Sequence, residues 1–336
     1  HLNATLALVY EKLTAPAFLA SEFDRNKNNA IQNAINNRKD AGYLATNAYR
    51  KLLHADNIAS TPSSGSQASL SNITLNDVKA LYQQQVKAKD SQIILVSDLD
   101  KSSVLSALSV FKPLKGAGKK LMLSLGESKA KLGVIYLINK DNAAQSAIRI
   151  GKRSLTQDIT GEYYRAHLMN FPLGGAFNSR INLNLREDKG YTYGARSNFY
   201  GDKFSGTYTA SAEVRANATD KSIVEFVKEI QNYADSGISD DELAFMRSAI
   251  NQKDALKYET PGRKLSFLGQ ILEHNLTADF VQERNEIVAT ISKEEINALA
   301  KKHLDLKQML MVVVGDAKTL KPQLEKLGYE VVNYQL

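Results

Sequence analysis

The chain has no cysteine among its 336 residues, so neither a disulfide nor a thiolate metal site contributes to its fold. That usage fits the cytoplasm and the periplasm alike. Long apolar runs are missing too: stretches such as Met309-Leu310-Met311-Val312-Val313-Val314 are strand-sized, far below the ~20 residues a membrane helix needs. Residues 1–20 lack the charged, apolar and small-residue order of a secretory signal. Several catalytic signatures are also absent. There is no GxSxG elbow, no cysteine nucleophile and no Walker-type phosphate loop. The five histidines, His1, His54, His167, His274 and His303, include no pair four residues apart, which excludes a helical zinc-binding His pair. His167 and His274 read as satisfied or surface side chains.

With 43% hydrophobic and 24% charged residues the composition is that of an ordinary globular protein, and the length allows two domains. A net charge of +7 is only a weak pointer to an acidic partner. The basic cluster Lys112, Lys115, Lys119 and Lys120 lies among Pro113, Gly116 and Gly118, and reads as a solvated linker rather than a nucleic-acid patch.

What the chain does have is an internal repeat. Ile73-Thr74-Leu75-Asn76-Asp77-Val78-Lys79-Ala80-Leu81 falls on Ile291-Ser292-Lys293-Glu294-Glu295-Ile296-Asn297-Ala298-Leu299 at an offset of 218 residues. At the same offset Ile94-Leu95-Val96-Ser97-Asp98 falls on Val312-Val313-Val314-Gly315-Asp316, and Leu8-Val9-Tyr10-Glu11 on Phe226-Val227-Lys228-Glu229. Two copies of one fold are therefore expected, with 1–115 as the C-terminal part of a truncated first domain and 116–336 as a complete second. A first copy of equal length would begin roughly 100 residues before His1, so the chain is expected to be part of a longer protein.

Helical spacing runs through residues 2–54, in Leu6, Val9, Leu13, then Phe23, Lys27, Ile31 and Ile35, then Tyr43, Ala48 and Leu52. Residues 57–72, rich in Ser with Pro62 and Gly65, read as a surface loop. Thr74 with Asp77 reads as a helix cap, and residues 92–96 as a strand. The segment 112–131 is the expected boundary. Beyond it, strands are expected at 134–139 and 146–151, then helices at 162–170 and 176–186, broken by Pro172, Gly174 and Gly175. Phe177, Ile181 and Leu185, spaced by four, are expected to line one buried face. A hairpin follows, 191–198 with 206–215 around Gly201-Asp202, its second arm alternating apolar and polar residues. Helices resume from Lys221 and a strand closes the copy at 309–314. Each copy is then an α+β layer, an antiparallel sheet with helices packed on one face.

The segment Leu173-Gly174-Gly175-Ala176-Phe177-Asn178-Ser179-Arg180-Ile181-Asn182-Leu183-Asn184-Leu185-Arg186-Glu187-Asp188-Lys189-Gly190-Tyr191-Thr192-Tyr193 resembles the C-terminal-domain signature of the pitrilysin/insulinase (M16) zinc metallopeptidases. It has a Gly-rich break, Ser-Arg, an apolar helix, Arg-Glu, a turn glycine and tyrosine on a strand. The resemblance covers the whole chain: Leu13 to Lys27, with Pro16, Phe18, Phe23 and Arg25, is similar to the family's early helix, and Val313-Val314-Gly315-Asp316 to its closing strand.

In that family two halves enclose a chamber, and one half carries a His-x-x-Glu-His zinc motif with a distal glutamate. The distal-glutamate position falls near Gln32-Asn33, where no carboxylate stands. The resemblance thus implies the inactive half, with no cofactor in this chain and zinc in a catalytic partner half, in the same precursor or a separate subunit. Unfolded peptides are the implied substrates, and neither a nucleic acid nor a membrane span is expected.

The family's auxiliary Arg/Tyr pair maps onto Arg186 and onto either Tyr191 or Tyr193. Gly190-Tyr191 matches the larger members, whereas shorter bacterial members place the tyrosine where Tyr193 stands. Two residues apart on one strand face, they are not separated by spacing. A guanidinium and a phenol suit the holding of a peptide backbone and donation to a developing oxyanion. The structural alternative pairs Arg186 with Glu187 or Asp188 and packs the tyrosines into the sheet. At the level of function the alternative is a structural or peptide-holding member of the fold that cleaves nothing.

Overall fold

The computed structural model describes residues 1–55, 57–89, 91–118, 125–254 and 258–336. Lys119 and Lys120 of the basic cluster, and part of the expected 112–131 boundary, lie outside the described residues. The chain divides into two compact units, one formed by 37–62, 123–256 and 274–336, the other by 1–36, 63–122 and 257–273.

The larger unit is built on a six-stranded sheet: β1 (Ile135–Asn139), β2 (Gln145–Arg153), β3 (Thr192–Gly201), β4 (Gly206–Arg215), β5 (Leu310–Gly315) and β6 (Val331–Asn333), in the order β3-β4-β2-β5-β1-β6. Pairing is antiparallel from β3 to β5, as expected, but β1 runs parallel to both β5 and β6, so the sheet is mixed. Strand direction leaves no trace in a two-residue alternation. The parallel strands β1 and β5 are nearly continuous apolar runs, as strands covered on both faces must be.

Both faces are indeed covered, where helices on one face were expected. Ile135, Leu137, Ile148, Ile150, Met311 and Val313 join the main core, packed against Ile223, Phe226 and Ile230 of the helix Thr219–Ser236. The alternate residues Tyr136, Ile138, Val312 and Val314 meet Ala45, Ala48, Tyr49, Leu52 and Leu53 on the other face. These come from the helix Ala41–His54, capped by the Asp40 carboxylate on Tyr43 N at 2.6 Å. The Tyr49 hydroxyl donates to Tyr208 O at 2.7 Å. Burial pushes that phenol well above its ordinary pKa. Gly151 leaves room for the contact, since a Cβ there would stand 1.9 Å from Tyr208 O and 2.4 Å from the Tyr49 hydroxyl.

The smaller unit is helical among the described residues, with helices including Leu2–Thr14, Ala20–Asn37, Leu75–Gln85 and Lys101–Leu108. No strand forms at 92–96, for an isolated extended segment has no neighbour to satisfy its backbone groups. The stretch read as loop contains the short helix Gln67–Asn72, closed by a Ser66/Ser69 capping box. Thr74 caps the helix Leu75–Gln85: Asp77 N donates to Thr74 Oγ1 at 3.2 Å, and Thr74 N to Asp77 Oδ2 at 2.8 Å. At the repeat-equivalent place in the larger unit, Ser292 accepts from Glu295 N at 3.1 Å and caps Lys293–His303.

Candidate functional site

Between the helix Glu162–Asn170 and β3 the chain makes two wide π-type turns, Phe171–Gly175 and Leu183–Asp188, on either side of the short helix Arg180–Asn182. Such turns often sit at functional positions. The expected helix 176–186 therefore starts only at Arg180, because Ala176 is extended after the glycine pair. Ile181 and Leu185 are fully buried as expected, but Phe177, left outside the helix, is 68% exposed.

Gly174 and Arg180 fix this segment. A Cβ on Gly174 would stand 2.1 Å from Ser197 Oγ and 2.4 Å from Ser197 N, so only glycine brings the first turn against β3. Arg180 grips the start of the helix. Its Nε and Nη2 reach both Glu242 oxygens at 2.5 and 2.6 Å, and Nη2 also donates to Gly237 O at 3.0 Å. The second turn is held by Asn184, whose Nδ2 donates to Glu225 Oε2 at 2.8 Å and Glu229 Oε1 at 2.7 Å.

Arg186 stands on that second turn. Its guanidinium carbon lies 4.6 Å from the centroid of the Phe177 ring, a cation–π contact. Nη1 is 3.1 Å from Glu187 Oε1, yet it is buried with no hydrogen-bond partner. The Glu187 contact of the structural alternative is thus present without satisfying that donor.

The two tyrosines differ in setting, contrary to the shared strand face that their spacing suggests. Tyr191 is half-buried, its N–H donating to Leu185 O at 2.9 Å and its carbonyl accepting from Arg215 N at 3.0 Å. After Thr192 a β-bulge sets Tyr193 and Gly194 opposite the single residue Glu213, with the register resuming at Ala195 and Ala212. Thr192 Oγ1 pins the bulge, donating to Glu213 O at 2.6 Å and accepting from Gly194 N at 3.1 Å. Tyr193 is turned outward and is 92% exposed.

Tyr193 and Phe177 line one cavity of about 740 Å³ with Gly174, Arg149, Arg196 and Glu213. Arg186 and Tyr191 are not part of its wall, and Phe177 is the link between Arg186 and the cavity. Sequence reading missed Arg149, Arg196 and Glu213. Their signal was the polar half of the two-residue alternation on β2, β3 and β4.

The outer edge of β3 is closed by side chains. Ala195 N donates to Asn182 Oδ1 at 3.0 Å, and Ser197 O accepts from Asn170 Nδ2 at 2.7 Å. A peptide extending the sheet at this point would have to displace both.

Among the described residues no three His, Asp or Glu side chains gather into a metal-binding group, and no helix is long and apolar enough to cross a membrane. His303 bonds Glu162 at 2.7 Å, His167 packs edge-on against Tyr163, and His54 is buried with Nδ1 unpartnered.

The model of the peptidase M16 inactive domain matches residues 72–250. The non-peptidase homolog YmxG of Helicobacter pylori is 22% identical over 313 residues, covering 92% of this chain and 71% of that one. Among solved structures, the peptidase M16 inactive domain from Pseudomonas fluorescens superposes with a TM-score of 0.83 at 23% identity, over 93% of this chain and 74% of that one. The periplasmic protease PqqL from Escherichia coli superposes with a TM-score of 0.70 at 15% identity, over the whole of this chain and 40% of the other.

Proposed function

Since the chain belongs to the M16 peptidase family and carries its inactive domain, we propose that it is the auxiliary half of a two-half zinc peptidase, bringing Arg186 and Tyr193 to a catalytic half. The observation that carries this reading is the pairing of an under-bonded Arg186 guanidinium with an outward-turned Tyr193 around the exposed Phe177 ring. Buried arginine donors are normally satisfied, and an exposed tyrosine is not held outward by a pinned bulge for packing.

Zinc, bound by the catalytic half, supplies the activation of water for attack on a peptide carbonyl. This chain's part is to bind and orient. Arg186, its side chain about a third exposed, offers its outward donors to a substrate carbonyl, the Phe177 ring fixes the guanidinium plane, and the Tyr193 hydroxyl donates to the oxyanion that forms on attack. Tyr193 takes this role rather than Tyr191, whose side chain is half-buried and whose backbone is tied on both sides. The closed outer edge of β3 directs the peptide across the sheet face, over the cavity. Unfolded peptides are the substrate class that fits an open face of this kind.

In the assembled enzyme Arg186→Ala is expected to lower turnover of an unstructured fluorogenic peptide about 10²-fold, the usual cost of removing one oxyanion-type donor. Tyr193→Phe should lower it by a comparable factor, and Tyr191→Phe by much less. Unchanged turnover in Arg186→Ala and Tyr193→Phe would sink the assignment. Peptide binding retained by a pair of halves that never cleaves would favour the peptide-holding reading, the one that the name of the Helicobacter pylori relative points to.

A further inference from the structure

The sheet register places two arginines in one row. Arg149 on β2 and Arg196 on β3 are both paired with Ser211 on the intervening β4. All three line the cavity with Tyr193. Adjacent strands lie roughly 4.8 Å apart, so the two arginine backbones are about 10 Å apart with only a small hydroxyl between them. That gap is open to an incoming group.

The two cations are differently occupied. Arg149 turns toward the helix Ala41–His54, its Nη2 donating to Gly42 O and Thr46 Oγ1, each at 3.4 Å, while Nη1 donates to Ile148 O on β2 at 2.9 Å. Glu213 stands on the same side, where its carboxylate would meet a Cβ placed on Gly42, and its charge favours the cationic form of Arg149. Arg196 is exposed, and among the described residues its guanidinium has no hydrogen-bond or ion-pair partner. One uncompensated guanidinium therefore faces the cavity beside Ser211.

We propose that Arg196 and Ser211 form a carboxylate subsite, which gives this half a preference for peptides with an acidic group lying over the β2-β4-β3 row. This rests on the peptide-binding reading above and adds the chemical class of the peptide. A planar guanidinium matches a carboxylate with two parallel N–H donors, and the Ser211 hydroxyl supplies a third. The carboxylate comes from an Asp or Glu side chain or from a peptide C-terminus. Both have the same fork geometry.

The test is binding of labelled, unstructured peptides to the full chain, followed by fluorescence anisotropy. Three peptides of equal length are compared: one with internal Glu residues and an amidated C-terminus, one neutral with a free C-terminus, and one neutral and amidated. A carboxylate-bearing peptide should bind about 5-fold more tightly than the neutral amide, the range expected for a solvent-exposed bidentate pair. The peptide that shows the gap identifies the source of the carboxylate. The gap should close in Arg196→Gln, widen in Glu213→Gln, and shrink with salt as a partly exposed pair must. Equal binding of all three peptides, or a gap that survives Arg196→Gln, overturns the subsite while leaving peptide binding in place. If none of the peptides binds, the peptide-binding reading falls and the subsite with it.

Discussion

At the scale of single residues, Gly174 decides whether the candidate site can form. A methyl group there would collide with Ser197 Oγ and the Ser197 amide, and the backbone would have to move. Gly174→Ala is expected to destabilise the fold by about 1–3 kcal/mol, the range for overpacking, measured by chemical denaturation with an unchanged m-value. Wild-type stability in that variant would show that the turn yields without cost. The glycine pair was legible in the sequence as a structural break, and Arg186 and the tyrosines were legible through a motif resemblance. Phe177 was misplaced because its four-residue spacing to Ile181 and Leu185 continues into a stretch where the helix has not begun. The orientation of Tyr193 depends on a bulge, set by the pairing of two distant segments. No local pattern encodes it.

At the scale of elements, the helix Ala41–His54 closes the second face of the sheet and joins it through Tyr49 and Gly151. Leu53 is 2% exposed, in the cluster with Tyr136, Val312 and Val314. Leu53→Ala is expected to cost about 2–5 kcal/mol, with a matching fall in midpoint. A loss below about 1 kcal/mol would mean that the helix does not cover the sheet in solution. Helical spacing at 41–54 was readable in the sequence, but the face it packs on was not, since the partner strands lie about a hundred residues or more further along the chain. β1 and β5 were readable as strands from their apolar runs, whereas the three-residue β6 is too short to show a period. The strand expected at 92–96 failed for a physical reason. Its repeat-equivalent, 310–314, is a strand because β1 and β2 flank it.

At the scale of the whole molecule, three histidines contribute to the loss of stability on the acid side. Burial pushes His54, His167 and His303 below the ordinary 6.5, with nearby arginines adding to the effect at His54 and His167, while Glu162 partly opposes it at His303. The unfolded chain therefore takes up protons first as pH falls below 6.5, and stability is lost through and below that point. Tm should hold steady from about pH 8 to 7 and decline from about pH 6.5 downward. A flat Tm profile down to about pH 5 would refute the burial of these side chains. Here too the sequence was partly informative. It indicated that the histidines bind no metal as a helical pair, but burial, which controls their titration, comes from the sheet and helices around them. The two matching stretches of the repeat share a local feature, a side-chain helix cap at Thr74 and at Ser292.

The central claim is that this chain completes an active site it does not itself possess. Its most direct test is cleavage of an unstructured fluorogenic peptide, with zinc present, by the chain alone, by a His-x-x-Glu-His half from the same gene or its neighbour alone, and by the two mixed. The account predicts silence from this chain and activity on mixing, lost with Arg186→Ala. Cleavage by this chain alone, or activity of the catalytic half that is indifferent to its addition, would contradict it.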